Sequence, residues 1–216
     1  MANRLALPPL YVILDAALLP CDPIILTKNL LEAGARLFQY RNKTSSSREL
    51  LQASQALCLT VVQHCGMFVV NDRADIARLT GASGVHLGQE DLSIAAARQV
   101  VGSKSLIGLS THNLRQFQAA AGSDADYIAV GPIFATGSKQ NPDPVVGLDF
   151  IRQARKLTSK PIVAIGGITA ESAREVTDAG ADSVAVISDI LSAKNPAKRV
   201  RQYLEVLPTV AQPAGN

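Results

Sequence analysis

The sequence predicts an α/β protein folded as a single (β/α)8 TIM barrel. Three observations carry this reading. Apolar runs of buried-strand type alternate with helical patterns eight times along the chain. These runs pass directly into polar or glycine residues, as expected where strands deliver chemistry to the C-terminal face of a barrel. A Gly-Gly pair, Gly166-Gly167, follows the seventh run. The pair and the eight units favour the barrel over a doubly wound open sheet, the alternative architecture.

The elements follow in order. The first strand is residues 10–14. The apolar stretch around it does not read as a secretory leader, because Pro8-Pro9 breaks it early, Asp15 interrupts it late and no small-residue cleavage site follows. A helix over 23–34 closes at Gly34. The strand 38–40 runs into Arg41 and Lys43, and Ser45-Ser46-Ser47 caps a helix reaching about His64. Strand 68–70 leads to Asn71-Asp72 and helix 73–79; strand 85–87 leads to Gly88, Asp91 and helix 94–101. Strand 106–109 ends at Ser110-Thr111-His112-Asn113 before helix 114–121. Strand 127–130 opens the longest loop, 131–147, which carries Pro132, Pro142 and Pro144. A loop of that length in a compact domain is functional or mobile. Helix 148–157, strand 162–165, helix 170–179, strand 184–187 with Ser188, and helix 196–207 complete the set. The barrel thus occupies 1–207, and the polar tail 208–216 is expected to fray.

Composition limits the function. A chain of 216 residues, 47% of them hydrophobic, supports one large core. The formal charge of +3 is small and its basic residues are dispersed, which argues against a nucleic-acid surface. No run of about 18 apolar residues exists, so no membrane partner is expected. Cys21, Cys58 and Cys65 lack metal-ligand spacing and read as free thiols in a reducing compartment, the cytoplasm. Oligomeric state is not written in the pattern, and a homo-oligomer is compatible with it.

The strand ends supply the chemistry. Gln39, Arg41 and Lys43 alternate, so an extended chain points all three the same way. An amide, a guanidinium fork and an ammonium on one side make a cradle for a diphosphate; the plainer alternative is a solvated strand end. Asp72 and Asp91 follow neighbouring strands, and two carboxylates brought together need a cation or a shared proton. Beside a diphosphate, Mg2+ is the natural choice, because it combines one or two carboxylates with phosphate oxygens and water. N-capping of the next helices is the alternative for both aspartates. Arg73 and Asp75 read as a local ion pair. Gly166-Gly167 and Ile187-Ser188 sit where barrels commonly bind phosphate through backbone N–H groups. Thr136-Gly137-Ser138-Lys139 adds two hydroxyls and a cation, or is a flexible loop tip. Of the three histidines, His64 reads as surface or packing, His86 as filler of a barrel layer, and His112 as near the site. No metal cluster or Ser-His-Asp set is apparent.

These residues resemble those of the thiamine phosphate synthase family. The resemblance rests on seven motifs in family order. They are Gln39-Tyr40-Arg41-Asn42-Lys43, Val70-Asn71-Asp72-Arg73, the stretch from Gly84 through His86-Leu87-Gly88-Gln89-Glu90 to Asp91, and Ile107-Gly108-Leu109-Ser110-Thr111-His112-Asn113, followed by Tyr127 to Phe134, Val163 to Ile168 and Val184 to Ser188. It implies a Mg2+-dependent transferase of thiamine biosynthesis that joins hydroxymethylpyrimidine diphosphate to thiazole phosphate carboxylate, giving thiamine phosphate, diphosphate and CO2. By motif position it assigns Gln39, Tyr40, Arg41, Asn42, Lys43, Asn71, Ser110 and Lys139 to the pyrimidine diphosphate. Arg41, Lys43, Ser110 and Lys139 then carry catalysis. It assigns Asp72 and Asp91 to the metal, and Thr136, Gly137, Ser138, Gly167, Ile187 and Ser188 to the thiazole phosphate. The chain departs from the family pattern at Ala135-Thr136-Gly137-Ser138-Lys139, where Pro and then Thr-x-Thr-Lys is usual. Serine keeps the hydroxyl there, and glycine adds mobility.

The expected mechanism is loss of diphosphate to give a pyrimidine-methyl cation that the thiazole nitrogen attacks, with no protein nucleophile. Two other readings stand beside it. A related thiazole tautomerase would need neither the diphosphate cradle nor the paired carboxylates. A non-catalytic thiamine phosphate-binding barrel would tolerate loss of Asp72, Asp91 or Lys139.

Overall fold

The computed structural model describes residues 5–136 and 143–208. Eight parallel strands close into a barrel in sequence order: β1 (Leu10–Asp15), β2 (Leu37–Arg41), β3 (Met67–Asn71), β4 (Gly84–Leu87), β5 (Leu106–Thr111), β6 (Tyr127–Val130), β7 (Ile162–Ile165) and β8 (Ser183–Val186). β8 closes on β1 with Leu10 opposite Val184 and Val12 opposite Val186. The helices are α1 (Pro23–Glu32), α2 (Ser47–Gln63), α3 (Ala74–Thr80), α4 (Ile94–Val101), α5 (Leu114–Ala121), α6 (Gly147–Leu157), α7 (Ala173–Asp178), α8 (Ser188–Leu191) and α9 (Pro196–Val206).

Strand alternation divides the core in two. Val12, Leu14, Phe38, Tyr40, Val70 and Val85 face outward into the layer shared with the helices. Tyr11, Ile13, Leu37, Val69, Tyr127, Ala129, Val163 and Ala185 fill the barrel interior. Gly108 is inward-facing because a Cβ there would lie 2.0 Å from Cζ of Tyr127, whose ring crosses the interior.

Helix termini follow local chemistry. α2 opens in a capping box, with Ser46 Oγ accepting the Glu49 N–H and Glu49 Oε2 accepting the Ser46 N–H at 2.9 Å. Gly34, just beyond α1, has φ +109°, the left-handed stop that its position predicts. Two elements differ from the sequence reading. Residues 170–172 form a turn, with the Thr169 N–H donating to Ser172 Oγ at 3.0 Å, so α7 starts later than expected. α8 is an additional helix of four residues, too short to show a helical period in the sequence. Among the described residues no helix is long and apolar enough to cross a membrane.

Candidate active site

The inward-facing residues at the strand ends line a cavity of about 510 Å³ at the C-terminal face. Its two sides differ in chemistry. On the β1–β4 side, charged groups meet in pairs. Asp15, closing β1, stands opposite Arg41, closing β2, and Arg41 Nη1 donates to Asp15 Oδ2 at 2.5 Å. Lys43 Nζ lies 2.7 Å from Asp72 Oδ2. Asp72 holds φ +63°, a left-handed conformation that aspartate tolerates better than most residues, and its N–H is pinned to His86 O at 2.8 Å. Asp91 Oδ2 accepts the Gly88 N–H at 2.6 Å. Burial pushes the Asp91 carboxyl up from its ordinary pKa, and the neighbouring Asp72 carboxylate raises it further, against the Gly88 N–H and Lys43.

N-capping does not account for these two aspartates. α3 has Arg73 at its cap position with no side-chain cap bond, and α4 is capped by Ser93, whose Oγ accepts the Ala96 N–H at 3.2 Å. Arg73 instead forms the expected local pair, its Nε and Nη2 donating to Asp75 at 2.9 and 2.6 Å.

A buried polar chain forms the cavity floor. Gln39 Nε2 donates to Tyr11 Oη at 2.8 Å, and the Tyr11 and Tyr127 hydroxyls are 3.1 Å apart. Tyr127 Oη is 3.0 Å from His86 Nδ1, and His86 Nε2 is 2.8 Å from Ser110 Oγ. The His86 ring stacks on Tyr127 with centroids 5.6 Å apart. Burial raises both phenol pKa values, so both hydroxyls keep their protons. Gln39 donates to Tyr11, either phenol can donate to the other, and the His86 tautomer sets whether Ser110 accepts from the ring or donates to it.

The β7–β8 side is built on glycine loops, with Thr169, Ser188 and Asp189 also lining it. Gly167 has φ +65°, and a Cβ there would fall 2.4 Å from Ala135 O, so only glycine lets this loop lie against the one after β6. Gly166, Gly167, Ile187 and Ser188 line the cavity together with Thr136.

The structure thus brings together Gln39, Arg41, Lys43, Asn71, Asp72, Asp91, Ser110, Thr136, Gly167, Ile187 and Ser188. Tyr40 and Asn42 stand apart, on the outward parity of β2. Tyr40 is buried in the barrel–helix layer, and Asn42 Nδ2 donates to Tyr40 Oη at 3.2 Å. Asn42 Oδ1 accepts the Thr44 and Ser45 N–H groups at 3.1 Å each, so it shapes the loop after β2. Gly137, Ser138 and Lys139 lie outside the described residues. His64 is exposed on α2's end, and His112 Nδ1 donates to Gly131 O at 2.7 Å at the cavity rim. His86 is more than barrel filler, since it connects Tyr127 to Ser110. Sequence reasoning missed Asp15, Tyr11 and Tyr127. Asp15 follows the first strand just as the other polar residues follow theirs, and that signal was sufficient to find it.

Two carboxylates within hydrogen-bonding reach of each other, with an ammonium on one of them, are a donor set for a hard divalent cation that fills its other positions with water and phosphate oxygens. Among the described residues no group of three or more His, Cys, Asp or Glu forms a closed metal site.

Comparison with known proteins agrees with this geometry. The family model described as thiamine monophosphate synthase matches residues 10–190. A thiamine-phosphate synthase of Koribacter versatilis is 51% identical over 96% of this chain and 99% of its own length. One from Synechococcus sp. WH7803 is 46% identical over 82% of this chain, which spans only 50% of that longer protein. The solved thiamine phosphate pyrophosphorylase of Pyrococcus furiosus superposes with a TM-score of 0.84 at 33% identity, covering 91% of this chain and 94% of that one. With a matching model over most of its length, relatives of this identity and the barrel in common, the chain belongs to the thiamine monophosphate synthase family.

Proposed function

We propose that the cavity joins hydroxymethylpyrimidine diphosphate to thiazole phosphate carboxylate, releasing diphosphate and CO2 and leaving thiamine phosphate. The observation that carries this reading is the two-sided cavity. Cations and paired carboxylates at the ends of β2–β4 face glycine loops after β7 and β8. A diphosphate and a monophosphate ligand fit these two sides, and a bond can form between them.

On this reading Arg41 and Lys43 hold the leaving diphosphate. Among the described residues Asp15 takes one Arg41 donor, which leaves the rest of the fork for phosphate oxygens. Lys139 supplies a further cation from the long loop. Asp72 and Asp91 would hold Mg2+, which when bound neutralises charge gathering on the diphosphate. Asn71 and Ser110 contact the pyrimidine end, with Ser110 held by His86. Gly167 and Ile187 give backbone N–H groups to the thiazole phosphate and Ser188 gives its hydroxyl, with Thr136 and Ser138 adding further hydroxyls. Electrostatic stabilisation of the departing diphosphate is the main catalytic term, and the pyrimidine-methyl cation it leaves is captured by the thiazole nitrogen. Loop residues that exclude water protect that cation. The free thiols of Cys21, Cys58 and Cys65 fit a reducing, cytoplasmic setting.

The test is diphosphate release by the purified chain with each substrate and Mg2+ omitted in turn. Release only with all three present is the expected result. Release without the thiazole phosphate, or turnover of that ligand alone, would point to a hydrolase or to a tautomerase.

A further inference from the structure

Behind the β7–β8 side lies a charge cluster that the proposed reaction does not use. Arg199, on α9, has a side chain only 16% exposed and makes two forks. Its Nε and Nη2 donate to the two oxygens of Asp189 at 2.7 and 2.9 Å. Its Nη1 and Nη2 donate to the two oxygens of Glu171 at 2.7 Å each. Nη1 also reaches Gln202 Oε1 at 3.2 Å, so all five N–H donors are engaged. Glu171 lies in the loop after Gly166-Gly167, and Asp189 follows Ser188 at the start of α8. Tyr203, fully buried on α9, brings its hydroxyl to 2.7 Å from Asp189 Oδ2 and 3.0 Å from Ile168 O. One helix therefore fixes both loops that build the glycine side.

Asp189 poses an electrostatic problem. It lines the cavity beside Ser188 and Gly167, whereas Arg199 does not line it. A carboxylate at that position repels a phosphate unless its charge is met. Arg199 meets it through a planar fork while its second fork holds the neighbouring loop, a geometry that lysine does not reproduce.

We propose that Arg199 is a positioning residue for the phosphate end of the site, locking the loops after β7 and β8 in one arrangement and cancelling the Asp189 charge beside the bound phosphate. The proposal rests on the assignment of Gly167, Ile187 and Ser188 to the thiazole phosphate.

Calorimetric titration with thiazole phosphate carboxylate tests it, together with KM for both substrates and the ionic-strength dependence of each. Arg199→Ala should bind the thiazole phosphate about tenfold more weakly, with the pyrimidine diphosphate KM within about twofold. The deficit should shrink as salt rises, because much of it is repulsion by Asp189. Adding Asp189→Asn to Arg199→Ala should restore most of the affinity. Arg199→Lys should be about threefold weaker than the wild type, since it keeps the charge and loses the forks. It carries the comparison if the alanine variant does not fold, and wild-type affinity in Arg199→Lys would then overturn the proposal. A loss shared equally by both substrates, independent of salt and not relieved by Asp189→Asn, would mean a structural role only and would also overturn it. Ser188→Ala separates the layers of the argument. If it binds the thiazole phosphate like the wild type, the phosphate sits elsewhere and both readings fall; if it binds weakly while the Arg199 variants bind normally, only the role of Arg199 falls.

Discussion

The two ends of the barrel use the same residue types to opposite purposes. At the N-terminal end, Arg98 Nη2 donates to Asp126 Oδ2 at 2.6 Å, while its Nη1 donates to Ser105 O at 2.5 Å and Gly102 O at 3.1 Å. The same Asp126 oxygen accepts the Ile107 N–H at 2.7 Å. Two units later the device repeats. Arg155 Nη1 donates to Asp182 Oδ2 at 2.7 Å and Nη2 to Lys160 O at 2.7 Å, and Asp182 Oδ2 accepts the Ile162 N–H at 2.8 Å. These arginines spend their donors on the chain's own backbone and clip a helix to the start of the next strands. At the C-terminal end, among the described residues, Arg41 pairs with Asp15 and Lys43 with Asp72, and both face a cavity. A saturated arginine stabilises a fold; an arginine or lysine with one partner and open space beside it is equipped to bind. The exception at the C-terminal end is Arg199, which is saturated yet stands directly behind the site.

The contrast can be broken in order of effect. Asp72→Asn and Asp91→Asn, which keep the backbone fit and an acceptor oxygen but lose the charge, should each lower kcat/KM by about a hundredfold or more and raise the Mg2+ requirement, while Tm changes little. Normal turnover by either at low Mg2+ would remove the metal assignment. Next, Arg41→Lys should cost roughly ten- to a hundredfold in kcat/KM for the pyrimidine diphosphate, because a fork becomes a point charge. Its counterpart Arg155→Lys should leave kcat/KM within about twofold and lower stability by about 1–2 kcal/mol, visible as a lower Tm. If Arg155→Lys lost activity at constant Tm, the division between the two ends would fail.

The smallest effect is a pH dependence. Asp91 has a raised pKa in the folded metal-free protein, so between its unfolded value and that raised value the native state holds more protons than the unfolded chain. Stability of the metal-free protein should therefore fall slightly as pH rises through that window. Asp91→Asn should flatten the dependence, by tenths of a kcal/mol in denaturant titrations. A dependence that survives in Asp91→Asn would assign it to another group.

Most of the fold was legible because buried parallel strands write themselves as apolar runs, and the residue after each run announces the functional face. Arg41, Lys43, Asp72 and Asp91, singled out that way, all line the cavity. What the local pattern does not carry is partnership, which depends on register and on contacts across the barrel. Asp15 and Arg41, 26 positions apart, are neighbours only because β1 and β2 pair. Tyr11 and Tyr127 meet across the interior at a separation of 116 residues. Neither relation has a local signature. Capping and ligation are equally compatible with an aspartate before a helix, and the observed caps of α3 and α4 remove the first. Parity sets Tyr40 and Asn42 apart from the cavity lining, since the alternation that points Gln39, Arg41 and Lys43 inward points these two outward.

The central claim is that one cavity holds two anion sites served by different residues. Calorimetric titration of each ligand separately into the wild type, Arg41→Lys and Ser188→Ala tests it most directly. The account predicts that Arg41→Lys weakens only hydroxymethylpyrimidine diphosphate and Ser188→Ala only the thiazole phosphate. Equal damage to both ligands in either variant would contradict it.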